Sequence, residues 1–268
     1  VFQPIVALES GATVGFEALT RFTDGRSADE VFAAAVRAEV GLDLELATLR
    51  AALSDAVALP RRAFLDVNVS PELVLAGDEL ATIVASSALD LVLEITEHTE
   101  ISDYRRFREA VGSLPRTRLA IDDAGAGFAS LRHVAELAPA SVKLDRSLVH
   151  GIDRDPVRRA LVTGMVHFAD GVGCTLVAEG VETPEERAAL LDLGVRFGQG
   201  FLLGLPRPVT AFAESCEPVS SGPADEGRIV PIGPRLVAID GLGSDVGQQQ
   251  GARRGVTKRV VSGGTIGS

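Results

Sequence analysis

A modified (β/α)8 barrel of the α/β class is the fold this sequence predicts, and three observations predict it. Apolar, β-branched runs of strand length alternate with longer stretches of helical period, the pattern of βαβ units around a largely parallel sheet. Charged or amide residues recur at the ends of consecutive strand-like runs, although one such residue at one strand end would be ordinary. The length of 268 residues suits one barrel of this kind, for which about 250 residues is usual, though it would also hold two small domains.

Taken in order, the first strand is read at residues 2–8 and the second at 15–20. Only Glu9-Ser-Gly-Ala-Thr13 joins them, a turn that suits a hairpin and is too short for a parallel crossover, so the first strand is expected to run antiparallel. Helical period follows over 28–40 and 44–58, and then a strand over 63–69. Ser70-Pro71-Glu72 places a capping side chain before a proline and an early acid, which starts a helix expected over 71–86. Strands at 91–96, 118–122 and 141–144 are separated by helices at 103–113 and 131–137. Asp155-Pro156 opens a helix over 155–172, and a strand at 175–178 follows it. Thr183-Pro184-Glu185-Glu186 opens the last long helix, 184–193, before a strand at 195–198. Residues 1–210 thus form the barrel. Residues 211–268 turn to Gly, Ser, Pro and Gln and are expected to be a largely disordered tail, within which the apolar stretch 228–240 could pair as strand. Its basic group, Arg253, Arg254, Lys258 and Arg259, reads as a solvated tail.

Composition narrows the function classes. Lys and Arg number 26 against 37 Asp and Glu, a formal charge of −11, so long nucleic acid would meet net repulsion. A small phosphate ester would not, because clustered carboxylates bind divalent cations that invert the local field. Cys174 and Cys216 are too few for a disulfide scaffold and lack zinc-site spacing, which makes a reducing cytoplasm the default compartment. There is no run of about 18 apolar residues and no leader, so membrane contact by this segment is not expected. The chain opens at Val1 within a strand-like stretch and carries Met165 as its only methionine. It is read as a segment of a longer protein with sensory or regulatory parts, whose full-length form could be membrane-attached.

In a barrel, side chains from different strands converge at the C-terminal mouth. Glu17, Asn68, Glu94 and Asp122 would each supply one hard oxygen there, the ligand type that Mg2+ and Mn2+ prefer, and Asp123 could reach a second ion. Two such ions, on the order of 3.5 to 4 Å apart, can share a bridging carboxylate, for which Asp122 is the candidate, and can activate water against a phosphodiester. Lys143 could orient that water or offset phosphoryl charge, and Glu179 could hold the water in place. His98, His133, His150 and His167 have neither paired metal spacing nor an adjacent nucleophile and are assigned no chemistry.

Phe2-Gln-Pro-Ile-Val, Glu17-Ala-Leu-Thr-Arg21, Val67-Asn-Val-Ser-Pro71, Glu94-Ile-Thr-Glu97, Asp122-Asp-Ala-Gly-Ala-Gly127, Val142-Lys-Leu-Asp145, Glu179-Gly-Val-Glu182 and Gly198-Gln-Gly-Phe201 occur in the order seen in EAL domains. From Val1 to about Pro208 the chain closely resembles these cyclic-di-GMP phosphodiesterases. The resemblance implies a barrel with an antiparallel first strand that hydrolyses cyclic di-GMP to linear pGpG with Mg2+ or Mn2+, and a homodimer formed near the Asp123 loop. It makes Glu17, Asn68, Glu94 and Asp122 metal ligands, with Asp123 completing a second site, and it makes Lys143, Glu179 and Gln199 catalytic. Arg21 would grip a substrate phosphate, with Gln3, Leu19 and Asp145 also on the substrate side. Glu97 would serve catalysis by steadying the loop after the paired aspartates, and Glu182 would support from behind. The chain departs from the family at Ala124, where phenylalanine is common, which removes a large packing group from a loop tied to metal binding and dimerisation. A catalytically weak receptor module for the same nucleotide is the alternative, and a Mg2+-dependent barrel enzyme that stabilises an enolate is a more distant one.

Overall fold

The computed structural model describes residues 1–96, 100–124 and 129–213. Glu97, His98, part of the glycine-rich loop after the paired aspartates, Cys216 and the whole of 214–268, including the apolar stretch 228–240, lie outside the described residues.

Eight strands close into a barrel in sequence order: β1 (Phe2–Ala7), β2 (Thr13–Ala18), β3 (Phe64–Asn68), β4 (Asp90–Thr96), β5 (Thr117–Ala124), β6 (Ser141–Leu144), β7 (Thr175–Ala178) and β8 (Phe197–Gly198). The expected irregularity is present. β1 pairs antiparallel with β2, Gln3 opposite Glu17, and antiparallel with β8, whereas every pair from β2–β3 to β7–β8 is parallel. Reversing one strand puts its N-terminal end at the same mouth as the C-terminal ends of the other seven, so Gln3 can join residues that leave strands β2 to β8.

The barrel is wrapped by α1 (Ala28–Arg37), α2 (Gly41–Ala56), α3 (Pro71–Leu75), α4 (Asp78–Ala85), α5 (Tyr104–Ser113), α6 (Ala129–Leu137), α7 (Arg146–Val149), α8 (Pro156–Val172) and α9 (Pro184–Asp192), with a short α10 (Thr210–Ala213) after the last strand. Local chemistry starts these helices. Ser27 with Glu30, and Thr183 with Glu186, form reciprocal capping boxes, and Ser70 and Asp155 cap helices that have proline in the first turn. On α2 the buried face is Leu46, Leu49, Leu53 and Ala56, a helical repeat that packs into the layer between barrel and helices. The single helix expected over 71–86 is two helices, because Gly77 sits at φ 80° and turns the chain between α3 and α4. The packing also runs past residue 210, where Phe212 of α10 lies edge-on to Phe16 with ring centroids 4.9 Å apart.

Inside the barrel the lower layer is apolar: Ile5, Val14, Phe64, Val92, Ala120 and Val177 fill it. Gly15 is required by this filling, since a Cβ there would overlap the Phe64 ring. The polar layer lies above, toward the mouth. Gly200, just beyond β8, has φ 156° and packs so tightly on the backbone of Val181 that a Cβ would overlap it. Gly112, on the exposed side of α5, meets nothing. Replacing Gly200 with Ala should therefore lower stability by about 2 kcal/mol or more, whereas Gly112→Ala should raise it by about 0.5–1 kcal/mol. Urea midpoints of the two variants against the parent chain check this; equal midpoints would contradict it.

Candidate active site

The centre of the polar layer is Lys143, which leaves β6 into the barrel and is 1% exposed. Its Nζ lies 2.7 Å from Glu94 Oε1 and 2.7 Å from Glu179 Oε1, with Glu17 Oε2 at 3.4 Å and Asp122 Oδ1 at 3.9 Å. These acids come from β4, the end of β7, β2 and β5, so four strand ends are tied to one ammonium. Burial alone would pull the lysine pKa down. Glu94, Glu17, Glu179 and Asp122 outweigh it and hold the group well above its ordinary value, so Lys143 is charged.

A second set of bonds fixes Glu17. Gln199 Nε2 donates to Glu17 Oε2 at 2.5 Å and to Gln3 Oε1 at 2.8 Å, while Gln3 Nε2 donates to the Gly204 carbonyl at 3.0 Å. Asn68 Nδ2 donates to the other oxygen, Glu17 Oε1, at 3.3 Å. Both oxygens of Glu17 are thus held by amides.

The carboxylates carry the cost of burial. Burial raises Glu94 well above its ordinary value, with the charge on Asp66 adding to it. Burial, partly offset by Lys143, lifts Glu179 to about 7. Asp66 was not singled out in the sequence and is also lifted to about 7, again by burial against the opposing pull of Lys143. It is 3% exposed on β3, two residues before Asn68. The signal that would have found it is the period of a strand: residues i and i+2 share a face, so a lumen-facing Asn68 implies a lumen-facing Asp66.

Several buried acceptors receive no hydrogen bond: Asp66 Oδ1, Glu94 Oε2 and Asp122 Oδ1. Leaving one such oxygen without a donor costs about 1–3 kcal/mol, more for a charged group. One ligand oxygen each from Glu94, Asp122 and Glu179 falls within 4.8 Å of the others, a spacing that one hard cation can span. The donor set, the orphaned oxygens and the spacing therefore fit a divalent cation bound by carboxylate and amide oxygens. Asp123 follows Asp122 in the left-handed region at φ 57°, which aspartate tolerates better than most residues.

Two recesses flank the cluster. One, of about 700 Å³, is lined by Leu19, Arg21, Arg26, Ser27, Phe32, Asn68, Asp122 and Asp123 among others. The other, of about 250 Å³, is lined by Gln3, Glu17, Arg146, Glu179, Glu182, Gln199 and Phe201 among others. Arg21 is exposed, with Nη1 on the Thr20 carbonyl at 2.9 Å. Glu182 pairs with Arg146 at 2.7 Å, and its backbone N–H donates to Glu186 Oε2 at 2.9 Å. Asp145 stands apart from both recesses and accepts from Ser147 N at 2.9 Å, as the N-cap of α7. Glu17, Asn68, Glu94, Asp122, Lys143, Glu179, Gln199 and Gln3 are thus brought together, Arg21, Leu19 and Asp123 line the larger recess, and Glu182 lines the smaller.

A closed barrel with acids gathered at its mouth defines a carboxylate-lined (β/α)8 site, and the comparisons with known proteins give its family. The model of the EAL domain family matches residues 1–206. The chain belongs to the EAL domain family. It is 39% identical over 98 residues to the cyclic di-GMP phosphodiesterase RocR of Pseudomonas aeruginosa, a stretch covering 37% of this chain and 25% of that protein. It is 32% identical over 162 residues to the cyclic di-GMP phosphodiesterase PdeL of Escherichia coli, covering 58% of this chain and 45% of that protein. Less than half the length of either relative is therefore spanned. Among solved structures, BlrP1 of Klebsiella pneumoniae in complex with calcium and cyclic di-GMP superposes with a TM-score of 0.68 at 33% identity, over 77% of this chain and 54% of that one. Among the described residues no helix is long and apolar enough to cross a membrane.

The raised carboxyls set a pH dependence. Asp66 and Glu179 move to about 7 in the fold from ordinary values of 3.8 and 4.5. The folded state thus binds these protons more tightly than the unfolded chain, and the stability they contribute is full below about pH 4 and is lost as pH rises to about 7. The melting temperature of chelator-treated protein should rise as pH is lowered from about 8 to about 5.5. A flat or falling profile would contradict this assignment.

Proposed function

We propose that this chain hydrolyses cyclic di-GMP to linear pGpG in a reaction dependent on Mg2+ or Mn2+. The observation that carries the reading is the cluster around Lys143, in which acids from four strand ends converge on one buried ammonium between two recesses. Glu17, Asp66, Glu94, Asp122 and Glu179 set five carboxyl groups against that single ammonium. Fully ionised they leave four negative charges, the charge of two divalent cations. RocR and PdeL bear the name of this activity, and BlrP1 was solved with the nucleotide and calcium or manganese.

In this reading Glu17, Asn68, Glu94 and Asp122 hold one cation, and Asp122 with Asp123 serves the second. When bound, such ions polarise the phosphodiester oxygens and ease the ionisation of water. The rest falls to the side chains. Gln199, itself held by Gln3, keeps Glu17 in one rotamer, so that its oxygens do not have to reorganise during turnover. Lys143 keeps a fixed positive charge beneath the position of the phosphate. Glu179, part exposed and lifted to about 7, is matched near neutral pH to accept a proton from the attacking water. That water forms the new P–O bond, one P–O bond of the ring breaks, and the departing oxygen takes a proton, leaving linear pGpG. The two recesses suit a substrate with one nucleotide on either side of the scissile phosphodiester. Arg21 at the larger is placed to meet phosphate, and Arg146 borders the smaller.

The test is turnover of cyclic di-GMP by the purified chain with Mg2+ or Mn2+, followed by chromatography of the product. Metal-dependent pGpG is expected, and chelator should abolish it. Glu17→Gln and Asp122→Asn should each lower kcat by ~100-fold or more while the protein stays folded. Either variant turning over like the parent chain would overturn the assignment. Tight binding of the nucleotide without product would replace the enzyme by the receptor reading.

A further inference from the structure

Glu186 is 2% exposed, yet it takes no part in the ion pairs around Lys143. It is the third residue of α9, and its two oxygens serve two different segments. Oε2 accepts the backbone N–H groups of Glu182 and Thr183 at 2.9 and 3.1 Å, which closes the start of its own helix. Oε1 accepts the backbone N–H of Gly151 at 2.9 Å, in the connection from α7 to α8, with His150 Nδ1 at 3.4 Å from the same oxygen. A capping box needs only the first of these; the second ties α9 to α7. The two segments so joined carry the two halves of one wall of the smaller recess. Glu182, held at its own N–H by Glu186, pairs with Arg146 at 2.7 Å, and Arg146 is the first residue of α7. The stem of Arg146 lies on Gly180, where a Cβ would overlap it. Its guanidinium is exposed and carries five donors, so one pairing with Glu182 leaves others for a ligand in the recess.

We propose that Glu186 is a positioning residue for the substrate: by fixing α7 against the β7–α9 loop from behind, it sets where Arg146 points at the smaller recess, and so sets the affinity for the nucleotide lying there. The inference rests on the reading of that recess as one end of the cyclic di-GMP site. The carboxylates around Lys143 are held by separate bonds, to Lys143, Gln199 and Asn68, so cation binding does not depend on Glu186. An amide at position 186 offers one acceptor oxygen in place of two, and one of the two segments is then released. Aspartate keeps a negative charge at the start of α9, which the helix dipole favours, but is one methylene shorter and does not reach both segments.

The experiment measures KM and kcat for cyclic di-GMP at saturating Mn2+, with calorimetric titration of the metal-free chain by Mn2+ alongside. Glu186→Gln should raise KM by ~3–10-fold with kcat within ~2-fold of the parent, the pattern of lost binding rather than lost chemistry. It should bind Mn2+ as the parent does. Glu186→Asp carries the same expectation and serves if the amide does not fold. Arg146→Ala should raise KM by ~10-fold or more, the loss of a charge-assisted hydrogen bond. In that background Glu186→Gln should add nothing, because a residue that acts through another is silent once the other is gone, whereas a general loss of structure would still show. Parent-like KM in both Glu186 variants, a full further rise in the double variant, or a fall in kcat or Mn2+ affinity with KM unchanged would each overturn the proposal. Parent-like KM in Arg146→Ala would overturn it too, while leaving hydrolysis in place. If the parent chain binds the nucleotide without product, the same comparison is made on Kd. If it neither binds nor hydrolyses cyclic di-GMP, the hydrolase reading fails, and this inference with it.

Discussion

One ammonium group buried among acids is the constraint on which the rest of this barrel depends. Lys143 is 1% exposed, and four carboxylates from separate strands approach its Nζ within 4.0 Å. Taking any one of these charges out of water is costly by itself; they are tolerated as a set. The set also fixes geometry. Glu17, Glu94, Asp122 and Glu179 can share one counter-ion only if β2, β4, β5 and the end of β7 keep their registers, because a slip of one residue would point each acid to the outer, apolar layer. The apolar filling below, with Phe64 lying over Gly15, supplies the complementary restraint from the other side.

The reversed first strand contributes a part that a wholly parallel barrel would lack. Gln3 stands opposite Glu17 because β1 runs downward from the mouth, and Gln199 bridges the two. The site is thereby closed across the junction of β1 with β8, a short ladder in which two residue pairs make the contact. Gly200 allows the chain to leave β8 directly against Val181, and that turn delivers Gln199 to Glu17. Backbone permissiveness at one glycine and amide bonding at the next residue are therefore one device.

Much of this was legible in the sequence, for identifiable reasons. Strands at 141–144 and 175–178 coincide with β6 and β7, since short, fully buried apolar runs bounded by turns admit few other readings. Helix starts were legible because they are local: a capping side chain, a proline and an early acid are all the information a first turn needs. Gly77 shows the limit, because helical period runs through it on both sides and only the observed φ of 80° reveals that the helix is cut. Charged residues at strand ends pointed to Glu17, Glu94, Asp122, Lys143 and Glu179, whereas the roles assigned to Arg21, Gln3 and Gln199 came only from family resemblance. Asp66 escaped because strand ends were weighed and the alternation within β3 was not. Asp145 stands in the same motif as Lys143, and in the structure its carboxylate caps the first turn of α7.

The exposure of the site's residues divides it into a floor and a rim. Glu94 and Lys143 have side chains at 0% and 1% exposure, with Glu17 at 8%, while Asp122 and Glu179 stand at 16% and 20%. On the floor, every rotamer is fixed by a neighbour: Lys143 by acids, Glu17 by the amides of Gln199 and Asn68, Glu94 by Lys143. Preorganisation of that kind lets a charged ligand bind without reordering the groups that hold it. On the rim, Asn68, Asp122 and Arg21 border open space and can follow the shape of what enters. The same burial that makes the floor rigid also leaves oxygens there without donors, and this deficit of positive charge is the physical reason that the site as built calls for cations.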